Sequence, residues 1–482
     1  MLFNSIDFAI FLPIVFVLYW FSAKKDMRYQ NILIVLASYF FYGMWDYRFL
    51  ALIIFSTLVD YTLGRQMAKT DVQSTRKILL WTSIIVNLGF LGFFKYYNFF
   101  LDNFVDLFTF FGQPISTRSL NIVLPVGISF YTFQTLSYTI DVYRKNLDPT
   151  KDFIAFAAFV SFFPQLVAGP IERATNLLPQ FRLERVFEYN KAVDGLRQML
   201  WGLFKKMVIA DNAAKFANII FDNSEAYSGS TLLLGGVFFA FQIYGDFSGY
   251  SDIAIGTSRL FGFDLMKNFA FPYFSRDISE FWRRWHISLS TWFRDYLYIP
   301  LGGSRGGIWM KVRNTFIIFL VSGFWHGANW TFVVWGALNA IYFLPLLLLN
   351  RNRNNLGTVA EGKYWPSFNE FLKILSTFAL TVLAWIFFRA DSVSHAFGIM
   401  SEIFSLSLFK LPSFEDFNKG LFTLFLVAIF ILIEWRGRNN EYAIEKLLLY
   451  RNKRLRWTFY MLLAMMILVF QGEQQEFIYF QF

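Results

Sequence analysis

The sequence contains no cysteine and only three histidines, and charged residues make up 16% of its 482 positions. The absence of cysteine excludes a disulfide framework, a thiolate nucleophile and a cysteine-ligated metal. Hydrophobic residues reach 56% and the mean hydropathy is +0.42. So little charge cannot cover the core of a soluble domain of this size, so the composition predicts an all-α polytopic membrane protein.

Apolar runs recur along the whole chain. The first, at roughly 8–21, is followed by Lys24, Lys25 and Arg28, and we expect it to be an uncleaved span that starts outside. Eleven more runs lie at roughly 31–45, 49–64, 78–100, 120–140, 153–170, 196–221, 231–256, 313–348, 370–388, 420–435 and 457–470. Together the runs predict about eleven to thirteen transmembrane or re-entrant helices.

The distribution of lysine and arginine predicts the orientation of these helices. Basic residues cluster in the connections 65–77, 144–151 and 436–456, which we expect on the cytoplasmic side of the inner (cell) membrane. Both termini then lie on the outer face. The net charge of +10 is attributed first to this topology and to contact with membrane lipid, so no nucleic-acid partner is expected.

Each histidine has a distinct sequence context. His326 lies in the string Phe-Trp-His-Gly-Ala within an apolar run, where an ionisable side chain indicates either a function or a hydrogen bond between packed helices. His286 lies in Trp-Arg-Arg-Trp-His beside charged residues, so a solvated surface histidine is the alternative to a site residue. His395 lies in a polar loop and is expected to be structural.

Several kinds of catalytic site lack their sequence signatures. No histidine pair has the spacing of a zinc enzyme, no Gly-x-Ser-x-Gly elbow occurs, and the glycines at 302–307 lack the strand–loop–helix setting of a nucleotide-binding loop. No metal and no bound cofactor are therefore predicted. An imidazole that acts as a general base on a hydroxyl group is the chemistry left open.

Two further segments combine charge with apolar surroundings. Asp246 and Asp252 lie in one apolar run with Gly245 and Gly249, and such carboxylates either serve a site, bond to a neighbouring helix or pair with the arginine-rich segment that follows. That segment, 267–313, mixes arginine with tryptophan and tyrosine. It predicts either an interfacial helix at the lipid headgroups or a buried segment that lines a polar cavity.

Six strings of this sequence resemble the membrane-bound O-acyltransferase family, and within it the bacterial branch of the alginate O-acetyltransferase membrane subunit. They lie at 125–130, 163–171, 249–252, 281–303, 324–328 and 477–482. The resemblance implies one membrane domain over 1–482, with core motifs at about 125–345, C-terminal helices at 370–482 and helices arranged around a central tunnel.

The resemblance also implies site residues. His326 corresponds to the catalytic histidine of the family and His286 to its second histidine. The residues expected to bind substrate are Trp325, Trp285, Arg283, Arg284, Arg294, Asp295, Tyr298, Asp252 and Asp246. Among these, Arg283, Arg284 and Arg294 are interpreted as ligands for the phosphates of coenzyme A, an interpretation that depends on charge alone.

The function that the resemblance implies is transfer of an acetyl group from a cytoplasmic thioester, acetyl-coenzyme A, toward hydroxyls of an exported polysaccharide or other glycan. A periplasmic or membrane-anchored acetyltransferase is the expected partner. Two alternatives stay open: transfer of D-alanyl or another acyl group to teichoic acid or another cell-wall acceptor, and a non-enzymatic polymer export subunit. The continuation at 299–303 favours the acetyl branch over the D-alanyl branch.

Overall fold

The structure is a computed structural model that describes residues 1–22, 26–112, 115, 119–167, 169–447, 452–473 and 475–480. Some residues that supported the predicted orientation, or that belong to the strings of the family resemblance, lie outside this described part. They are Lys24, Lys25, Ala168, Arg451, Gln481 and Phe482.

The regular elements of the described residues are helices, and no strand is found among them. The α-helices, numbered in chain order, are α1 Ile6–Ser22, α2 Met27–Asp46, α3 Leu50–Ala68, α4 Gln73–Leu91, α5 Tyr97–Phe110, α6 Ile128–Tyr143, α7 Phe153–Ser161, α8 Phe163–Leu166, α9 Ala174–Leu177, α10 Tyr189–Leu203, α11 Asp211–Asp222, α12 Gly229–Leu260, α13 Ile278–Arg284, α14 Ile287–Phe293, α15 Ile308–His326, α16 Trp330–Leu348, α17 Phe368–Arg389, α18 Val393–Ile403, α19 Phe417–Gly437 and α20 Lys453–Val469. The predicted all-α class is confirmed.

Among the described residues, six stretches have the length and low charge that a membrane span requires: 27–68, 73–110, 229–260, 330–348, 368–389 and 417–437. The multi-pass architecture is therefore confirmed. The predicted count of eleven to thirteen included every apolar run, and several of these runs form shorter helices. The run 196–221, for example, contains a π-helical turn at Phe204–Ala210 that carries two buried lysines.

One compact unit comprises residues 1–195 and 257–266. Within it, Asp60 of α3 is fully buried and accepts hydrogen bonds from Ser83 Oγ (2.6 Å) and Asn87 Nδ2 (2.9 Å) of α4. Buried polar groups in a membrane protein must be satisfied by the protein itself, so this network joins the two helices.

The second compact unit comprises residues 196–256 and 267–482 and contains both histidine strings. Its core is rich in large aromatic side chains, and Trp201, Trp285, Trp335 and Trp385 are among its fully buried residues. The single domain expected over 1–482 stays a prediction.

The predicted run 313–348 forms two consecutive helices that touch through a small residue. A Cβ atom at Gly323 of α15 would lie 2.2 Å from the carbonyl oxygen of Phe332 in α16, so glycine is required for this close approach. α15 ends at His326, and the Asn329 side chain caps the start of α16. His326 therefore lies at the corner between two tightly packed helices.

The arginine-rich segment 267–313 does not form one interfacial helix. It contains two seven-residue helices, α13 and α14, followed by a π-helical turn at Arg294–Tyr298. The left-handed backbone of His286 separates the two short helices, because a left-handed residue cannot continue an α-helix. The alternative of a buried, cavity-lining segment agrees better with this local structure.

Candidate functional site

His286 is held in a strained and buried position. Its φ of 43° is in the left-handed region, which costs a residue other than glycine on the order of 1–3 kcal/mol. Its side chain is buried, and burial lowers the pKa of His286 to about 3. The imidazole is therefore neutral at neutral pH, and the alternative of a solvated surface histidine is wrong.

Asn268 determines which nitrogen of His286 carries the proton. The Asn268 Oδ1 accepts hydrogen bonds from the backbone N–H (3.3 Å) and Oγ (2.9 Å) of Ser288, and it lies 3.1 Å from His286 Nδ1. A carbonyl oxygen can only accept, so Nδ1 is the protonated nitrogen. His286 Nε2 then presents a lone pair, and it is buried without a hydrogen-bond partner in the described part of the chain.

His326 is enclosed by aromatic rings. It is buried, and its ring lies 4.9 Å from that of Trp325, 5.1 Å from Trp335 and 5.3 Å from Phe388, measured between centroids. All three rings meet the imidazole at a steep angle, which suits the electrostatics of aromatic contacts. The ring therefore has a fixed orientation at the end of α15.

Two aromatic side chains contact both histidines. The Trp325 ring lies 6.1 Å from His286 and 4.9 Å from His326, and the Tyr479 ring lies 6.3 Å and 5.5 Å from the same two rings. The structure therefore brings together two histidines that are forty positions apart in the chain.

Both histidines also line one cavity of about 260 Å³. Trp285 and Tyr298, which were expected to bind substrate, lie in its wall, and the Tyr298 hydroxyl is 2.9 Å from Ser304 Oγ. Arg353, an exposed residue of the loop after α16, lines the same cavity. The cavity thus combines two buried imidazoles, hydroxyl groups and a cationic side chain.

Arg283 and Arg284 bind a loop of the protein itself. Arg283 donates to the carbonyl oxygens of Asn352 (2.8 Å) and Asn355 (2.7 Å), and Arg284 donates to that of Gly357 (3.0 Å). These contacts hold the loop 352–357 against α13, and this loop carries Arg353. The predicted role of the two arginines in substrate binding stays a prediction, while their observed contacts are structural.

Arg294 and Asp295 form an ion pair with each other. Arg294 Nε lies 2.7 Å from Asp295 Oδ1, and 59% of the arginine side chain is exposed. Neither residue is among those that line the histidine cavity. Their predicted role in substrate binding is therefore not supported by a contact with the cavity, and it stays a prediction.

Asp246 and Asp252 of α12 pair with lysines and not with the arginine-rich segment. Asp252 Oδ2 lies 2.6 Å from Lys205 Nζ, and Asp246 Oδ1 lies 2.8 Å from Lys206 Nζ. Glycines in α12 permit this approach, because a Cβ at Gly245 would lie 2.9 Å from the Lys205 carbonyl oxygen. The two carboxylates therefore join α12 to the preceding π-helical turn.

The segment 475–480 passes through this ion-pair region to the histidines. Lys206 Nζ donates to the Gln475 carbonyl oxygen (3.1 Å), and the Ile478 N–H donates to Asp246 Oδ2 (2.7 Å). These contacts hold Tyr479 where its ring reaches both imidazoles. We name this segment, 475–480, the tail.

His395 does not line the cavity that His286 and His326 share. His395 Nε2 lies 2.9 Å from Ser224 Oγ, and His395 lines a separate polar cavity. In the described residues, no group of three or more His, Asp or Glu side chains is placed to hold a metal ion.

Sequence reasoning missed four residues of this site: Asn268, Lys205, Lys206 and Tyr479. The two lysines had a usable signal, because adjacent charges within the apolar run 196–221 need buried partners. Asn268 lies in the segment 267–313, but an uncharged amide does not stand out there among the arginine and aromatic residues. Tyr479 lies in the string 477–482, in which the resemblance implied no site residue.

Comparisons with known proteins agree with the family resemblance of the six strings. A family model described as membrane-bound O-acyltransferase family matches residues 147–383. The chain is 40% identical over 447 residues to a probable alginate O-acetylase of Pseudomonas aeruginosa, which covers 92% of this chain and 82% of the relative. It is 36% identical over 436 residues to the peptidoglycan O-acetyltransferase of Helicobacter pylori, with coverages of 84% and 80%. A teichoic acid D-alanyltransferase of Streptococcus thermophilus is 28% identical over 307 residues, with coverages of 57% and 71%.

Proposed function

Because the chain belongs to the membrane-bound O-acyltransferase family, we propose that it transfers an acetyl group from acetyl-coenzyme A at the cytoplasmic side to hydroxyl groups of an exported polysaccharide. The chain is a multi-pass membrane O-acyltransferase, so the alternative of a non-enzymatic export subunit is not supported. The identity of the acyl donor, the identity of the acceptor and the direction of transfer across the membrane are what we propose. The names of the relatives, an alginate O-acetylase and a peptidoglycan O-acetyltransferase, support acetyl as the group and a glycan as the acceptor.

The observation that carries the proposal is the pair of buried histidines in one cavity. His286 is neutral and presents the lone pair of Nε2, and His326 lies in the same cavity beside the same two aromatic rings. Transfer of an acyl group to a hydroxyl requires removal of one proton, and a neutral imidazole is suited to accept it.

We assign the role of general base to His326 and the role of orienting the acceptor to His286. The acceptor oxygen attacks the thioester carbonyl carbon, and its proton passes to His326 as the C–O bond forms. The C–S bond then breaks, and the leaving thiolate takes the proton back, which yields an ester and a free thiol. His286 Nε2 has no proton to donate, and the single proton of the reacting hydroxyl goes to His326. We therefore propose that His286 orients the acceptor by accepting a hydrogen bond from a second hydroxyl group of the glycan.

Arg353 is the cationic side chain that lines this cavity, and we propose that it contacts the phosphates of coenzyme A. The acceptor would approach from the opposite end of the passage. A periplasmic acetyltransferase that receives the acetyl group before the polysaccharide is the proposed partner. The exposed position of Arg353 supports entry of a large anionic donor at that end.

A donor assay with the full chain in liposomes tests the proposed function. We expect radiolabelled acetyl-coenzyme A to release free coenzyme A, and the label to appear on an alginate or peptidoglycan fragment enclosed in the vesicle. A carrier protein loaded with D-alanine as a thioester serves as the competing donor. Consumption of the D-alanyl thioester with no release from acetyl-coenzyme A would contradict the acetyl assignment.

The proposed orientation can be tested without background labelling because the natural sequence contains no cysteine. We expect Asn4→Cys to react with a membrane-impermeant maleimide in intact cells, since the N-terminus is proposed to lie outside. Lys145→Cys should react only after the membrane is permeabilised. The reverse pattern would invert the proposed direction of transfer.

Tyr479 is expected to be required for transfer because its ring contacts both imidazoles. Tyr479→Ala removes contacts with both rings, and we expect the release of coenzyme A to fall by roughly tenfold or more, the effect of about 1.4 kcal/mol of lost positioning. Tyr479→Phe retains the ring and removes the hydroxyl group. Loss in both variants assigns a role to the hydroxyl, and loss in the alanine variant alone assigns positioning. Full activity of Tyr479→Ala would contradict either role.

A further inference from the structure

The second compact unit carries an apolar groove on its surface, distinct from the histidine cavity. Its walls are residues 368–378 of α17 and 431–435 of α19, and Trp365 lies at one end. We name this cavity of about 600 Å³ the α17–α19 groove. Both helices are candidate membrane spans, so the groove faces the hydrocarbon of the bilayer.

The groove matches one leaflet in length. The α17 residues that line it include Phe368, Phe371, Leu375 and Phe378, which share one face of the helix. Ten residue steps at 1.5 Å each make this face about 15 Å long, which is half of a hydrocarbon core of about 30 Å. A single acyl chain of one leaflet therefore fits along the groove.

The end of the groove near Trp365 has the residues of a membrane interface. Tyr364 and Trp365 are exposed there, and these residue types concentrate at the headgroup level. The Arg436 guanidinium lies 6.0 Å from the centre of the Tyr364 ring, and no ion pair to Arg436 is found within the described residues. An unpaired cation at this depth is suited to a lipid phosphate.

The loop at this end is fixed and not a loose cover. Arg438 donates to the carbonyl oxygens of Val359 (3.0 Å) and Lys363 (2.6 Å), and Trp435 Nε1 donates to that of Tyr364 (2.8 Å). The position of Tyr364 next to Arg436 is therefore built into the structure.

We propose that the α17–α19 groove binds one anionic glycerophospholipid, with an acyl chain along α17 and the phosphate at Arg436. The floor of the groove includes Tyr273, whose ring contacts Phe378 (5.0 Å) and Trp285 (6.0 Å). Trp285 also lines the histidine cavity. The lipid therefore lies two aromatic rings away from the proposed acyl-transfer site, although its binding does not depend on that function.

Native mass spectrometry of the full chain in detergent tests this proposal. Phosphatidylglycerol and phosphatidylcholine with identical acyl chains are titrated separately. We expect the first bound phosphatidylglycerol to bind more tightly, and Arg436→Gln to lower this preference by roughly fivefold, the effect of one basic group near an anionic headgroup. Arg454→Gln, which removes an exposed arginine at the start of α20, is the matched control and should leave the preference unchanged.

A second pair of variants tests the position of the acyl chain. Leu375→Trp fills the groove, and we expect both lipids to bind on the order of tenfold more weakly, because displacing two methylene groups is sufficient for that loss. Leu372→Trp adds the same bulk to an exposed residue of α17 that does not line the groove, and it should have no effect. Melting temperatures of all variants confirm that they are folded.

Three results would overturn the proposal. Equal affinity for the two lipids would contradict the preference for an anionic headgroup. Equal effects of the two tryptophan variants would contradict binding of the acyl chain in the groove. A dimer that dissociates in Leu375→Trp would assign the groove to a second copy of the chain. None of these results depends on acyl transfer, so they are distinguishable from a failure of the proposed function.

Discussion

Replacement of His326 by glutamine is expected to lower the release of coenzyme A from acetyl-coenzyme A by roughly 10²–10⁴-fold, the usual contribution of a general base. Glutamine retains a polar side chain of similar size, but it cannot accept a proton at neutral pH. Because His326 is packed among aromatic rings, the variant should keep the same cavity. The rate is measured with purified protein at saturating donor.

His395→Gln provides the matched control for this experiment. It makes the same change of side chain at a histidine that lies beside Ser224 in another cavity. We expect its rate to stay within about twofold of the natural protein, the range of substitutions outside a site or core. If His326→Gln and His395→Gln were equally active, His326 would not be the base.

Replacement of Lys206 by methionine is expected to produce the largest loss of stability. Lys206 Nζ lies 2.8 Å from both Asp211 Oδ1 and Asp246 Oδ1, and all three side chains are nearly inaccessible. Removal of the cation leaves two buried carboxylates facing each other, and breaking a buried ion pair typically costs about 3–5 kcal/mol. The loss is measured as a lower thermal unfolding temperature in detergent. The tail should be the first segment to become sensitive to proteolysis, because it forms hydrogen bonds with Lys206 and Asp246.

Two comparisons separate this effect from the loss of a methylene chain. Lys215→Met breaks a pair with Asp416 in which about a third of each side chain is exposed, and such pairs contribute about 0–1 kcal/mol. Neutralising the carboxylates together with the lysine, by Asp211→Asn and Asp246→Asn in Lys206→Met, should restore most of the stability. Unfolding of Lys206→Met at the same temperature as Lys215→Met would contradict a stabilising role for the buried network.

The elements that sequence predicted well are those that depend on neighbouring residues. Apolar runs predicted the multi-pass helical class, and six candidate spans are found among the described residues. The helical class follows from composition, which a single sequence displays directly. The pairing of His286 with His326 as site residues was implied by the family resemblance, and the two residues line one cavity.

The elements that sequence did not predict depend on contacts between distant segments. Asp246 and Asp252 were expected to serve the site, bond to another helix or pair with arginines that follow them, yet their partners are Lys205 and Lys206, some forty positions earlier. Spacing cannot distinguish these options, since each brings opposite charges together. The hydrogen bond from Asn268 to His286 is likewise set by the tertiary fold alone.

The arginines illustrate the same limit. Arg283 and Arg284 have the charge to bind phosphate, and from sequence nothing distinguishes that role from binding backbone carbonyls of a loop. In the structure, both donate to the loop 352–357, while Arg353 of that loop lines the cavity. Residues that were predicted to bind substrate because of their charge can therefore act indirectly, by holding the loop that carries another charged residue.

The position of the tail has a consequence for biosynthesis. Residues 475–480 follow every helix of the bundle in the chain, yet they contact both histidines and the buried Lys206–Asp246 pair. During translation, the ring contacts of Tyr479 with the two histidines therefore form only after residues 475–480 have left the ribosome and entered between the helices already inserted. Cleavage of the chain between Val469 and Gln475 would therefore yield a membrane protein that keeps helices α1 to α20 and loses these contacts with the histidines.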